Sequence, residues 1–270
     1  MTQRLVAVTQ RHVIPEPTTT RDDGARSRVL LVITNSLANL VAVTLRHGHY
    51  ETRDITDEAG IRTAMRDWQP HLALIDIDHH FPAIETVGGG MAKGGIPILA
   101  FTRRREAALK FSAYERGADD IIEVPFTLDE IIARPFALLR RSRGLSVPIV
   151  PTITLAGQLQ VDLIAQTVKM NGGPQLKLTP LQQTLLYILA ANAGEVLTRE
   201  TLLASIWGSA FQIESNVVDR HVRELRVKLG DEWKTPRYIE TVPGKGYRFR
   251  DGETEPSMTE RNPVDVAELR

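Results

Sequence analysis

Between residues 28 and 142, short apolar runs alternate with helical patterns, and this alternation constrains the fold more than any other feature. The runs are Val29–Ile33, Tyr50–Arg53 (the weakest), Leu72–Asp76, Pro97–Phe101 and Ile121–Val124. Helical stretches lie between and after them, at about 37–47, 58–68, 104–116 and 127–141. Near-continuous apolar strands separated by helices predict a parallel sheet covered on both faces. In such sheets the functional groups gather at the carboxyl ends of the strands. The glycines at 88–90 and 94–95 predict that the third helix is short or irregular, because glycine costs about 1 kcal/mol inside a helix.

After residue 142 the pattern changes. Residues 143–151 read as a linker, and 152–170 as short alternating strands broken by Gly157 and then by Asn171-Gly172-Gly173. Three helices follow. Thr179-Pro180-Leu181-Gln182 places Thr at the N-cap, Pro at N1 and Gln at N3, which is a capping box. The second helix is capped by Thr198 and stops at Gly208, and the third spans about Ser215–Leu229 and stops at Gly230. A hairpin, Tyr238–Val242 and Tyr247–Arg250 around Pro243-Gly244-Lys245-Gly246, closes the unit. Three helices and a C-terminal hairpin describe an α+β winged helix-turn-helix. The domains expected are therefore 28–142 and 152–251, joined by 143–151 and flanked by polar, Pro-containing tails at 1–27 and 252–270 that read as disordered.

Composition narrows the function classes. Lys plus Arg and Asp plus Glu are both 33, so a basic site must be local rather than a property of the whole surface. The absence of cysteine removes disulfides, thiolate metal sites and thiol nucleophiles. No apolar run reaches the roughly 18 residues that a membrane span needs, and no secretory h-region is visible. A cytoplasmic protein without membrane partners is expected. No Ser/His/Asp order, carboxylate pair or phosphate-cradling loop points to an enzyme, so no catalytic residue is expected.

In the third helix of the second unit, Val218, Val222, Leu225 and Leu229 form one apolar stripe. Asn216, Arg220, Arg223 and Val227 fall on the opposite face, flanked by Arg226 and Lys228. A solvated charged face would have the same pattern. The amide and guanidinium groups also suit the major groove, where Arg can pair with guanine O6/N7 and Asn with adenine N6/N7.

Together these motifs resemble the OmpR/PhoB type of bacterial response regulator. In the second unit the resemblance rests on Leu178-Thr179-Pro180 with Gln182, on Leu197–Leu203, on Val218–Arg226 and on Ile239–Phe249. In the first it rests on Gly117–Asp120, Pro125-Phe126 and Ala133-Arg134. The resemblance implies a flavodoxin-like, doubly wound, five-stranded α/β receiver and a winged-helix domain that binds double-stranded promoter DNA. It implies that Asn216, Arg220, Arg223 and Glu224 lie nearest the bases. Glu224 would either accept from cytosine N4 or act as a repulsive brake against phosphate. His221 and Arg226, with Thr198 and Arg199 at the start of the second helix and Lys245 and Arg248 in the wing, are expected at phosphates. The loop 208–214, with Phe211 and Ile213, resembles the segment that contacts RNA polymerase, an expected partner; simple packing of Phe211 would account for it equally.

The receiver resembles its family less in its chemistry. Asp76 stands at the phosphoacceptor position and Thr102 at the hydroxyl switch. However, Ile33, Thr34 and Asn35 supply no acid after the first strand, Val124 stands where the family has Lys, and Ile121 where it has the aromatic switch. Mg²⁺ needs a near-octahedral set of oxygens, and phosphoryl transfer needs positioned counter-charges. Asp76 is accordingly expected to be an unphosphorylated relic, hydrogen-bonded to Thr34, Asn35 or Thr102, with no Mg²⁺ or other cofactor. Lys110, Asp120, Glu130 and Arg134 resemble the charges that pair across the family's two-fold receiver interface, which implies a homodimer. Pro135 is expected to kink the helix that carries Arg134. A metal site among His71, Asp76, Asp78, His79 and His80 lacks ligand spacing. The alternatives to this reading are a conventional two-component regulator phosphorylated at Asp76, and a protein-interaction adaptor.

Overall fold

The computed structural model describes residues 26–34, 36–144, 152–163, 165, 167–208 and 216–250. The tails, most of the 143–151 linker and the 209–215 segment with Phe211 and Ile213 lie outside the described residues.

The first domain is a five-stranded parallel sheet of β1 (Arg28–Val32), β2 (Glu51–Asp54), β3 (Leu72–Asp76), β4 (Ile98–Thr102) and β5 (Asp120–Glu123), in the order β2-β1-β3-β4-β5. The three central strands are almost wholly buried, which is why they read as continuous apolar runs. Edge strand β2, Glu-Thr-Arg-Asp, is largely exposed, and this explains its weak signal. Helices α1 (Ser36–His47), α2 (Glu58–Thr63), α3 (Ala83–Thr86), α4 (Ala107–Arg116) and α5 (Leu128–Arg143) cover the faces. Helix α2 continues to Trp68 as a wider π turn. Helix α3 has four residues, in line with the glycines that follow it. At Gly90, φ is 72° and an added Cβ would lie 1.9 Å from the Gly117 carbonyl oxygen, so no side chain fits between the two backbones. Helix α5 runs through Pro135 as one helix, opened by a Thr127–Glu130 capping box.

The second domain begins with an antiparallel meander of β6 (Thr152–Leu155), β7 (Leu159–Asp162) and β8 (Thr167–Met170). Next come α6 (Pro180–Ala191), strand β9 (Val196–Thr198), α7 (Arg199–Trp207), α8 (Asn216–Leu229) and the hairpin β10 (Ile239–Val242) and β11 (Gly246–Phe249). Strand β11 pairs with both β10 and β9. The Thr179/Gln182 capping box is formed in both directions.

The two domains share one core. Helix α1 packs on the receiver sheet and also against α6 and α7. Ser36, Leu37, Leu40, Val41, Ala42, Thr44 and Leu45 are all buried, so α1 is covered around most of its girth. Its hydrophobic cluster runs from Val29 and Leu31 without interruption to Leu186, Leu202 and Ile206. Polar contacts pin the boundary. The Ser36 and Ser205 hydroxyls lie 2.8 Å apart, Asn39 Nδ2 donates to Asn192 Oδ1 at 2.6 Å, and Thr184 Oγ1 donates to the Phe126 carbonyl at 3.2 Å. No helix among the described residues is long and apolar enough to cross a membrane.

Candidate nucleic-acid interface and the pocket at the sheet edge

Helix α8 is amphipathic in the expected sense. Val218, Val222 and Leu225 are buried and Leu229 packs at the edge of the core. Asn216, Arg220, Arg223 and Val227 face solvent, with Val227 77% exposed. Val227 lies one turn beyond Arg223 on this face. Arg220, Arg223, Glu224, Val227 and Lys228 of α8, with Gln182 of α6, line a shallow open cleft. Glu224 Oε2 accepts from Gln182 Nε2 at 2.9 Å, which holds its carboxyl below the usual range. Lys228 Nζ donates to the Lys177 carbonyl and to Gln182 Oε1.

A network seats α8 against the wing. Asp219 Oδ1 accepts from Arg199 Nε at 2.7 Å and from the Tyr247 hydroxyl at 2.6 Å. Burial and the bond to Asp219 push the Tyr247 hydroxyl up to about 12. The Arg199 guanidinium lies over the Tyr247 ring, 5.0 Å from its centroid. Arg226 reaches back from α8 to donate to the Ile239 carbonyl at 2.7 Å and to Thr241 Oγ1 at 2.8 Å.

At the carboxyl edge of the receiver sheet, Asp76 is fully buried. Arg103 Nη1 donates to both of its carboxylate oxygens at 2.9 Å, and the Arg103 side chain is fully buried too. Oδ1 also accepts from the Asp78 backbone N–H at 3.2 Å, and His79 Nδ1 lies 3.1 Å from Oδ2. Asp78 fixes the turn after β4, accepting from the Arg103 N–H and from Thr102 Oγ1, each at 2.7 Å. Thr34 Oγ1 is buried with no hydrogen-bond partner among the described residues. Burial lowers the proton affinity of the His80 imidazole, with Asp76 opposing the effect. Among the described residues no group of three or more His, Cys, Asp or Glu side chains could hold a metal.

Residues 173–249 match the family described as "Transcriptional regulatory protein, C terminal". The DNA-binding response regulator MtrA of Mycolicibacterium smegmatis is 32% identical over 228 residues, covering 84% of this chain and 98% of that protein. The transcriptional regulatory protein KdpE of Mycobacterium tuberculosis is 30% identical over 204 residues, covering 74% and 88%. Among solved structures, the Klebsiella pneumoniae RstA DNA-binding domain in complex with the RstA box is 31% identical, covers 38% of this chain and 99% of that one, and has a TM-score of 0.34.

The chain belongs to the OmpR/PhoB-type DNA-binding response regulators. It is a transcription regulator of that class, not an enzyme.

Within this response regulator the structure sorts the expected contact residues. Asn216, Arg220 and Arg223 share the exposed face of α8, and Lys245 is exposed at the hairpin turn. Five of the residues expected at phosphates have partners within the chain. Arg226 is drawn to the Ile239 carbonyl, because β10 runs beside the end of α8. Arg199 is held by Asp219 and Tyr247, and Thr198 Oγ1 caps the Thr201 N–H at 3.0 Å. His221 is largely buried, stacked on Trp207 with ring centroids 6.1 Å apart, and its Nδ1 lies 3.3 Å from Glu224 Oε2. Arg248 is paired across the hairpin with Glu240 at 2.8 Å. In the receiver, Asp76 bonds neither Thr34 nor Thr102, Asn35 lies outside the described residues, and Thr102 turns to Asp78. Lys110 pairs with Glu123, and Arg134 with Asp120 at 2.9 Å and Glu130 at 2.8 Å, all within one chain. Sequence reasoning missed Arg103; the only signal for it was the Arg103-Arg104-Arg105 run directly after the switch threonine.

Proposed function

We propose that this regulator is a cytoplasmic protein that binds double-stranded promoter DNA as a homodimer through α8 and the wing. In this reading neither phosphorylation of Asp76 nor bound Mg²⁺ is required. The observation that carries it is the buried Arg103 guanidinium on both Asp76 oxygens. Phosphoryl transfer to Asp76 needs a free carboxylate oxygen, and Mg²⁺ needs an array of oxygen ligands at about 2.0–2.1 Å. Ile33 and Thr34 offer one hydroxyl where acids would stand, and Asp76 already holds a cation that cannot lose its charge. The donor set does not fit the ion.

The exposed face of Asn216, Arg220 and Arg223 supports base readout, and Lys245 supports a phosphate contact at the wing tip. For pairing through the receiver, the support is the outer face of α4, where Phe111 is 68% and Tyr114 47% exposed beside the Lys110 and Arg134 ion pairs. A solvated helix has no use for two large exposed rings on neighbouring turns. RNA polymerase remains an expected partner on family resemblance alone.

The test is intact-mass analysis after incubation with acetyl phosphate and Mg²⁺, run beside sedimentation and footprinting of the untreated protein. The expected result is no added phosphate, a dimer, and protected DNA. A phosphorylated species that tightens dimerisation would make this a conventional two-component regulator.

A further inference from the structure

We propose that Arg103 is a tethered cation that clamps the winged-helix domain onto the receiver through the Asp76 pocket. One side chain bridges the two domains. Its Nη1 lies on Asp76 at 2.9 Å and on Asp78 at 3.3 Å, and its Nε donates to the Ser205 carbonyl of α7 at 2.9 Å. Ser205 is in the last turn of α7, at the negative end of the helix dipole. A guanidinium therefore meets a carboxylate at one end and a helix C-terminus at the other. Its stem is covered as well: a Cβ built on Gly208, the residue that ends α7, would lie 3.6 Å from Arg103 Cδ.

The placement gives the buried guanidinium partners at Nε and Nη1, while Nη2 is buried with no partner among the described residues. A buried charge persists only when paired and hydrogen-bonded. Here the receiver alone supplies the carboxylates, and the winged-helix domain supplies the carbonyl and excludes water. Separating the domains would expose Arg103 and remove one of its acceptors, so the pocket and the domain boundary form or open together. The Ser36–Ser205 and Asn39–Asn192 contacts lie along the same boundary. The outer face of α8 remains exposed with the clamp closed, so the clamp fixes the orientation of the DNA-binding face without covering it. The pocket that would receive a phosphoryl signal thus holds a permanent intramolecular one.

The chain contains no cysteine, which permits a clean test of this contact without DNA. In a Ser36→Cys/Ser205→Cys variant of the full chain, the hydroxyls now 2.8 Å apart become thiols placed to form a disulfide. Under mild oxidation the thiols should disappear without intermolecular cross-links. Adding Arg103→Met should slow closure by about tenfold or more, because the two thiols lose their fixed juxtaposition. Adding Asp76→Ala together with Arg103→Met removes the stranded charge yet should close as slowly as Arg103→Met alone. Arg103→Lys keeps the charge but not the separate Nε donor to the Ser205 carbonyl and should give an intermediate rate. Circular dichroism of each variant separates loss of the clamp from loss of fold, and the double variant supplies the folded comparison if Arg103→Met unfolds. Equal closure rates with and without Arg103, or no disulfide in any background, would overturn the proposal.

Discussion

The Asp76–Arg103 pair makes a quantitative prediction about stability. Asp76→Ala removes the carboxylate and leaves a fully buried guanidinium. Stranding one partner of a buried pair costs about 3–5 kcal/mol. Asp78 Oδ2, 3.3 Å from Arg103 Nη1, and the Ser205 carbonyl still offer partial compensation, so the lower end applies. At about 2–4 °C per kcal/mol for a domain of 150–250 residues, a loss of about 3 kcal/mol lowers the melting temperature by roughly 6–12 °C. The loss should persist in high salt, since a dry pair is poorly screened. Asp76→Ala/Arg103→Met should recover to within about 1 kcal/mol of the parent, because replacing both members with apolar atoms is often neutral. Thermal melts of the four proteins, monitored by circular dichroism at neutral pH, complete the cycle. Additive single effects, or an Asp76→Ala protein within 1 kcal/mol of the parent, would refute the pairing.

Three further outcomes are expected. Arg220→Ala should cost about 1–3 kcal/mol in binding and relax preference at one or two base positions, whereas Lys245→Ala should weaken all sequences alike and flatten the salt slope by about one, as salt-dependent binding titrations on random and selected DNA would show. Arg226→Ala and Arg199→Ala should each destabilise the winged-helix domain by about 1–3 kcal/mol while leaving the salt slope of DNA binding unchanged, since both side chains face inward. The third concerns pH. Burial lowers the proton affinity of His71, with the Arg143 and Arg28 charges adding to it, and burial does the same at His80. The unfolded chain then takes up protons that the folded chain refuses once pH falls below about 6.5, so stability should decline from pH 7 toward 5. His71→Gln/His80→Gln should flatten that decline in urea-unfolding midpoints.

Much of the fold was legible in the sequence because period and punctuation are local signals. Strands β3 and β4 announced themselves through unbroken burial, α6 through Thr179 and Gln182, and α8 through the Val218/Val222/Leu225 stripe. The same stripe put Arg220 and Arg223 on the exposed face, since their opposition to it is fixed by helix geometry. Residues whose fate depends on a distant element were not legible. Arg199 and Arg226 belong to elements that meet the base of the wing, and only the return of β11 beside β9 brings the Tyr247 ring to both. Arg103, Arg104 and Arg105 are indistinguishable as a sequence, yet Arg103 is sealed against Asp76 and Ser205 while Arg104 pairs with Glu106 at the surface. A hint did exist in α1, whose Leu37, Leu40, Val41, Ala42 and Leu45 are too widely spread around the helix for one buried face. It needed a second covering layer, and the winged-helix domain is that layer.

The shared core has a consequence for operator architecture. Two receivers related by a two-fold axis impose that axis on whatever is rigidly attached to them. In the proposed receiver-paired dimer, with each winged helix seated on its own α1 and held at Arg103, the two α8 helices would also be two-fold related, and such a pair fits a palindrome. A direct repeat instead requires one DNA-binding domain to turn through half a revolution relative to the other, which means leaving its seat. For that proposed dimer, whether the operator's half-sites run head to head or head to tail therefore reports whether the domain boundary survives on DNA.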